Sequence, residues 1–143
     1  MTGEALSLSG DGISTNGVLR NISGNNTLTG VITLAAATTI KSDADTLNLA
    51  TGGITATNQN LVVTGLGNTT ISGAITTGTG SLTMNGTGVL TLAADNTYTG
   101  KVSVKDGQVQ LQTKAGSFDL AVPAANVWLA RWAAEVGAFA GQV

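Results

Sequence analysis

Short segments of alternating apolar and polar residues recur along the chain up to about residue 115. Residues 31–34, 46–49 and 60–64 are examples, with Leu, Val or Ile on one side and mainly Thr, Ser or Asn on the other. A period of two predicts β-strands, and the Gly, Asn, Asp and Ser residues between the segments predict turns. The residues expected to point inward are Leu6, Leu8, Ile32, Leu34, Leu47, Leu49, Leu61, Val63, Leu90, Leu92, Val102, Val104, Val109 and Leu111.

The strand pattern contains an internal repeat. Residues 26–34 and 96–104 share the motif Asn-Thr-Φ-Thr-Gly-x-Φ-Ser/Thr-Φ, where Φ is a large apolar or aromatic residue, and residues 68–76 are a looser copy. A period in the low twenties suits one coil of a β-solenoid, whose apolar side is buried only when coils stack. The glycines that mark this period are Gly30, Gly53, Gly73 and Gly100, at steps of 23, 20 and 27 residues.

The pattern changes after about residue 115, so we divide the chain into stacked coils at 1–115 and a tail at 116–143. Within the tail, Trp128, Trp132 and Phe139 recur at helical spacing in an Ala-rich stretch. This spacing predicts an amphipathic helix over about 124–139. We expect its apolar side to cap the open end of the solenoid. The alternatives are a membrane-interface anchor or a disordered tail.

Composition excludes several classes of function but says less about the fold. The chain has 42% hydrophobic but only 3% aromatic residues, which favours a narrow aliphatic core. It has no His and no Cys, which removes the most common acid–base group, the disulfide and the thiolate nucleophile. Six basic residues and a net charge of −2 make nucleic acid an unexpected partner. We expect no catalytic residue, no cofactor and no metal site.

Residues 80–111 resemble the autotransporter-associated β-strand repeat. The matching motifs are Gly-Ser-Leu-Thr at 80–83, Leu-Thr-Leu at 90–92 and Asn-Thr-Tyr-Thr-Gly at 96–100. Met84, Ala94 and Lys101 depart from the family pattern, and we expect all three departures to lie at the surface. The resemblance implies a right-handed parallel β-helix in the passenger of a secreted or surface-displayed bacterial protein. In that family the repeat is a scaffold without an active site of its own.

The resemblance also sets the expected partners and location. The partners are neighbouring coils of a longer chain, and host or cell-surface ligands of a displayed protein. No signal peptide or apolar segment of membrane-spanning length is visible. We therefore expect the export signal to lie outside this chain, and contact with a membrane only through a translocator barrel that is also outside it.

Other kinds of site have weaker support. Asp11, Asp43, Asp45, Asp95 and Asp106 offer oxygens to calcium, although turn capping explains them better. The Gly-rich stretches at 78–80 and 86–88 lack the Lys and the helix of a phosphate loop.

The alternative function is a self-contained solenoid that binds glycans or ice. Thr-x-Thr pairs begin at Thr27, Thr55, Thr77 and Thr97, as an ice-binding array requires, but residues 71–73 interrupt them. A polysaccharide-degrading β-helix enzyme is the weakest alternative, because the acidic residues are scattered.

Overall fold

The computed structural model describes residues 3–111, 120–121 and 127–129. This part of the chain consists of strands and turns, with one short 3-10 turn at Ile13–Thr15. The strands are β1 Leu6–Gly10, β2 Leu19–Asn21, β3 Asn26–Leu28, β4 Ile32–Ser42, β5 Thr46–Leu49, β6 Ile54–Ala56, β7 Leu61–Thr64, β8 Asn68–Ile71, β9 Ile75–Thr76, β10 Leu82–Leu92, β11 Val102–Leu111, β12 Leu120–Ala121 and β13 Val127–Leu129.

All strand pairings are parallel, and each strand pairs with the strand one coil before or after it. Three faces result. Face A contains β1, the start of β4, β6 and β9. Face B contains β2, the end of β4, β7 and the starts of β10 and β11. Face C contains β3, β5, β8 and the ends of β10 and β11. The chain is a parallel β-solenoid of about four turns, as the sequence predicted.

Ladders of aliphatic side chains fill the interior. On face B, Ile40 pairs with Val63, Val63 with Met84 and Met84 with Val104, and each is at most 1% exposed. All the residues predicted to point inward whose side chains are described belong to this interior, with Leu6 and Leu8 only partly buried. The side chain of Leu111 lies outside the described part. The prediction omitted Ile40, Ile54, Ile71, Ile75, Leu82, Met84 and Tyr98.

One departure from the family pattern was placed wrongly. Met84 was expected at the surface, yet it is 1% exposed and belongs to the face B ladder. Met84 points inward because it lies two residues after Leu82, and side chains alternate along a strand. Lys101 is exposed as expected, and Ala94 is half-buried.

Stacked glycines let the coils approach at the corners. A Cβ on Gly100 would meet the backbone carbonyl of Gly80, and a Cβ on Gly80 would meet the carbonyl of Gln59. Neighbouring strands lie only about 4.8 Å apart, so a side chain directed along the solenoid axis has no room there.

The two copies of the sequence motif lie on different faces. Asn26–Leu28 belongs to face C and pairs with β5. In the later copy, the Thr97 N–H donates to the Ile75 carbonyl at 3.1 Å, which places that segment on face A. Gly30, Gly53 and Gly73 accordingly share the corner that precedes face A. Gly100 belongs to the following corner, which precedes face B. The step of 27 residues was long because it joined two different corners.

The helix predicted over 124–139 has no support from the described residues. Val127–Leu129 form a strand that pairs with Val109–Leu111, because parallel pairing with the preceding coil satisfies their backbone groups. The rest of that segment, including Trp132 and Phe139, lies outside the described residues, so its capping or anchoring role stays a prediction. The division of the chain at residue 115 also stays a prediction.

Candidate functional site: the outer surface of the solenoid

A small ion-pair cluster lies on face B near the first coil. Arg20 pairs with Lys41 in the strand register, so two cations lie side by side on adjacent coils. Arg20 Nε donates to Asp43 Oδ2 at 2.6 Å, and Lys41 Nζ lies 3.3 Å from Asp43 Oδ1. Desolvation raises the pKa of Asp43, but the hydrogen bonds and charges of Arg20 and Lys41 together outweigh this effect. The pKa of Asp43 is therefore lower than its usual value of 3.8. The cluster joins two coils and leaves no carboxylate free for chemistry.

The other acidic residues considered as calcium ligands are either hydrogen-bonded to another residue or exposed. The Asp45 carboxylate accepts a hydrogen bond from the Gly24 N–H at 2.7 Å, and the Asp11 carboxylate accepts one from Thr39 Oγ1 at 2.8 Å. Asp95 and Asp106 are exposed. Within the described residues, no three His, Cys, Asp or Glu side chains come together as a metal ion would require.

An irregular loop that the sequence analysis missed covers part of face B. Residues 11–18 fold over the outer side of the second coil, where Asp11 bonds to Thr39 and Lys41 Nζ donates to Asn16 Oδ1 at 2.9 Å. Gly17 has a φ of 84°, and a Cβ there would lie 2.9 Å from the Lys41 Cβ. The loop leaves Ile13 at its tip 90% exposed. Gly10, Gly12 and Gly17 were the signal in the sequence for such a loop.

The outer side of face A carries one hydroxyl from each coil. Ser7 pairs with Thr33, Thr33 with Thr55 and Thr55 with Thr76. The Thr-x-Thr pairs raised for ice binding do not form a second aligned row, because Thr27 belongs to face C and Thr77 is only 3% exposed. Face A therefore presents an aligned ladder of hydroxyls through these four residues.

The outer side of face C is polar and uncharged. Asn25, Thr46, Asn48, Thr70 and Ser72 line part of a shallow depression of about 380 Å³. Within it, Ser72 Oγ lies 3.4 Å from Asn48 Oδ1. Such a surface offers hydrogen bonds to a neutral ligand and has no charged side chain in its lining.

Asparagine side chains connect successive coils at the corners. In four cases the carboxamide oxygen accepts a hydrogen bond of 2.9–3.0 Å from the backbone N–H of the residue 21 positions later. The side chain thereby pairs a backbone donor where the strand ladder is interrupted. The four donor–acceptor pairs are Thr46 to Asn25, Thr79 to Asn58, Ser81 to Asn60 and Val89 to Asn68.

The passenger-associated-transport-repeat family model matches residues 82–111. The matched span runs from the first residue of β10 to the last residue of β11. Together with the β-solenoid, this match fits an autotransporter passenger repeat. No curated protein and no solved structure matches the chain. Among the described residues, no helix has the length and apolarity needed to cross a membrane.

Proposed function

We propose that the chain is a non-catalytic scaffold from the passenger of a secreted or surface-displayed autotransporter-like protein. The observation that carries the proposal is that the family-matched span forms an ordinary member of the coil stack. β10, within that span, pairs with β7 and β8 of the preceding coil and with β11 of the following one. In such an array most of the stability comes from contacts between neighbours, which suits a rigid stalk.

The open side of the first coil is evidence that another coil is a partner of this chain. Leu6, Leu8, Leu19 and Leu28 continue the interior ladders, but they are only half-buried because no described residue covers them on one side. Among the described residues, β1–β3 each pair on one edge only, and proteins normally cover such open edges. A preceding coil of the same β-helix would pair these edges and bury the four leucines. The role that follows is to hold a distal region away from the cell in support of adhesion, with the stalk at the cell surface or outside the cell.

Surface display of an epitope tests the scaffold proposal. The chain is placed between an N-terminal epitope and an autotransporter translocator, and the epitope is measured on intact cells by flow cytometry. A triple variant on face A, Thr33→Val, Thr55→Val and Thr76→Val, is expected to retain display, because it keeps side-chain shape and β-propensity. Val63→Asp is expected to lose it, because it places an unpaired carboxylate in the interior. Equal display of both variants would contradict the proposal.

A neutral-ligand-binding solenoid is the second candidate, and the hydroxyl ladder on face A favours it. The same triple variant distinguishes the two functions. Under the second candidate, the variant remains folded and displayed but loses binding to a neutral glycan array, or loses the thermal hysteresis that an ice-binding protein produces. Under the scaffold proposal, the wild type and the variant behave alike in both assays.

A further inference from the structure

Four Asn-x-Ser/Thr triplets occur in the chain, beginning at Asn21, Asn25, Asn68 and Asn85. This triplet is the minimal acceptor for N-linked glycosylation, provided that the middle residue is not Pro. A chain rich in Asn and Thr contains such triplets by chance. The structural surroundings of each asparagine therefore decide which of them a transferase can use.

Asn21 cannot serve as an acceptor in the folded chain. Its side chain is 4% exposed. Its Nδ2, the atom that would receive the sugar, donates to the Gly24 carbonyl at 3.1 Å and to the Ala44 carbonyl at 3.0 Å.

Asn25 and Asn68 are exposed, but both carboxamides are in use. Asn25 Oδ1 accepts from the Thr46 N–H, and Asn68 Oδ1 accepts from the Val89 N–H, each at 3.0 Å. An amide nitrogen is a poor nucleophile because its lone pair is delocalised onto the carbonyl. A transferase must therefore hold and reorient the whole carboxamide, and at these two sites it must first break a contact between coils.

Asn85 differs from the other three. It is exposed, and among the described residues its carboxamide makes no hydrogen bond. Thr87, the hydroxyl residue of its triplet, is also exposed, and its side chain makes none. Between them, Gly86 is buried against the backbone of Gly65 in the preceding coil. The triplet thus has both recognition groups facing solvent on a firmly held backbone.

The surrounding surface leaves room for a sugar. Asn85 lies where the pairing between β10 and β11 shifts register, at the corner between faces B and C. The Asn85 carbonyl accepts from Thr64 Oγ1 at 3.0 Å, which ties this corner to the preceding coil. A depression of about 460 Å³ adjoins it, lined in part by Lys41, Leu66 and Asp106.

We propose that Asn85 is an acceptor for N-linked glycosylation by a sequon-specific transferase that uses a nucleoside-diphosphate sugar. Asn85 Nδ2 forms a bond to the anomeric carbon, and the bond from that carbon to the phosphate oxygen breaks. The nucleoside diphosphate leaves with the electron pair, and the Nδ2 proton passes to a base on the transferase. The modification does not depend on the scaffold role, so its failure would leave that proposal standing.

The test incubates the purified, folded chain with a soluble sequon-specific N-glycosyltransferase and a uridine-diphosphate hexose. Peptide mass spectrometry then measures hexose at each triplet over time. Modification of Asn85 is expected to be about tenfold faster than that of Asn25 or Asn68, a ratio equivalent to about 1.4 kcal/mol and comparable to one net hydrogen bond. Asn21 is expected to stay unmodified until the chain is unfolded in urea.

Two variants at one position provide the matched control. Thr87→Ser preserves the triplet and is expected to keep the hexose on Asn85, whereas Thr87→Val removes the triplet and is expected to lose it. Because Thr87 is exposed and makes no side-chain hydrogen bond, both variants should fold as the wild type does. The proposal is overturned if Asn85 stays unmodified in the folded chain, or if Asn25 or Asn68 is modified at the same rate.

Discussion

Asn68 Oδ1 and the backbone N–H of Val89 form a 3.0 Å hydrogen bond between successive coils. Replacing Asn68 with Ala leaves that N–H without its partner, so the free energy of unfolding should fall by about 1 kcal/mol. Asn68→Asp keeps an acceptor oxygen and should lose less. Urea denaturation measures both, with Asn85→Ala as the control because the Asn85 side chain is exposed and makes no hydrogen bond. A loss at Asn85 equal to that at Asn68 would mean that the inter-coil bond has no net effect.

The stacked glycines predict a severe effect of a single methyl group. Gly100→Ala places its Cβ against the backbone of Gly80, and backbone cannot move aside as a side chain can. We expect a loss of about 3 kcal/mol in unfolding free energy, at the upper end for overpacking. Gly10→Ala is the comparison, because Gly10 has a φ of 90° but open space around it, and only the backbone strain of about 1 kcal/mol applies. Thermal or urea unfolding should give this order, and the reverse order would contradict close stacking at that corner.

Two buried threonines should respond to the same substitution with opposite signs. Thr69 and Thr38 are each 1% exposed, but Thr69 Oγ1 has no hydrogen-bond partner in the described part of the chain, whereas Thr38 Oγ1 donates to the Ala36 carbonyl at 2.9 Å. Thr69→Val should stabilise the fold by about 1 kcal/mol, because it removes an unsatisfied hydroxyl from between Leu47 and Leu90. Thr38→Val should destabilise it by about 1 kcal/mol. Effects of the same sign at both positions would show that hydrogen bonding does not distinguish them.

The Asp43 cluster predicts a dependence of stability on acid pH. Because the pKa of Asp43 is lower in the folded state than its usual 3.8, ionised Asp43 stabilises the fold above pH 3.8. That stabilisation is lost as the pH falls through the folded-state pKa. The difference in urea midpoint between the wild type and Asp43→Asn should therefore be constant near neutral pH and shrink below about pH 4. Added salt should reduce it at neutral pH, because the pair is partly exposed. A difference that grows on acidification would contradict the assignment.

The sequence predicted most of the interior because alternation within a strand is a local signal. Leu47 and Leu49 are examples, and both are 2% exposed. It did not predict which coil positions are stacked, because that depends on the length of every corner. The repeated motif consequently suggested that Asn26 and Asn96 are equivalent, although they lie on different faces. Met84 was predicted at the surface because it departs from the family pattern. The alternation of apolar and polar residues in its own strand would have placed it in the interior.

The outer surface was less predictable than the interior. No pattern in the sequence indicated that Asn58 and Asn60 connect coils, because each accepts a hydrogen bond from a residue 21 positions later. Residues 11–18 could be recognised as a loop from their glycines, but not as one that packs over Thr39. Long-range partners of this kind are set by the solenoid as a whole, so no local pattern encodes them.

The central claim is that the coil is an interchangeable structural unit, and a coil deletion tests it most directly. Removing residues 61–81 joins Asn60 to Leu82, which then takes the position of Leu61, its partner in the face B register. We expect this variant to keep its β-sheet circular dichroism and to unfold cooperatively in urea, with only the stability of one coil lost.

Removing residues 61–71 instead, about half a coil, moves every later strand to a different face and should abolish folding. Urea denaturation of the two variants, followed by circular dichroism, is the decisive comparison. The account predicts a cooperative transition for the whole-coil deletion and none for the half-coil deletion. Cooperative folding of both, or loss of structure in both, would contradict the claim that the whole coil is the unit of the fold.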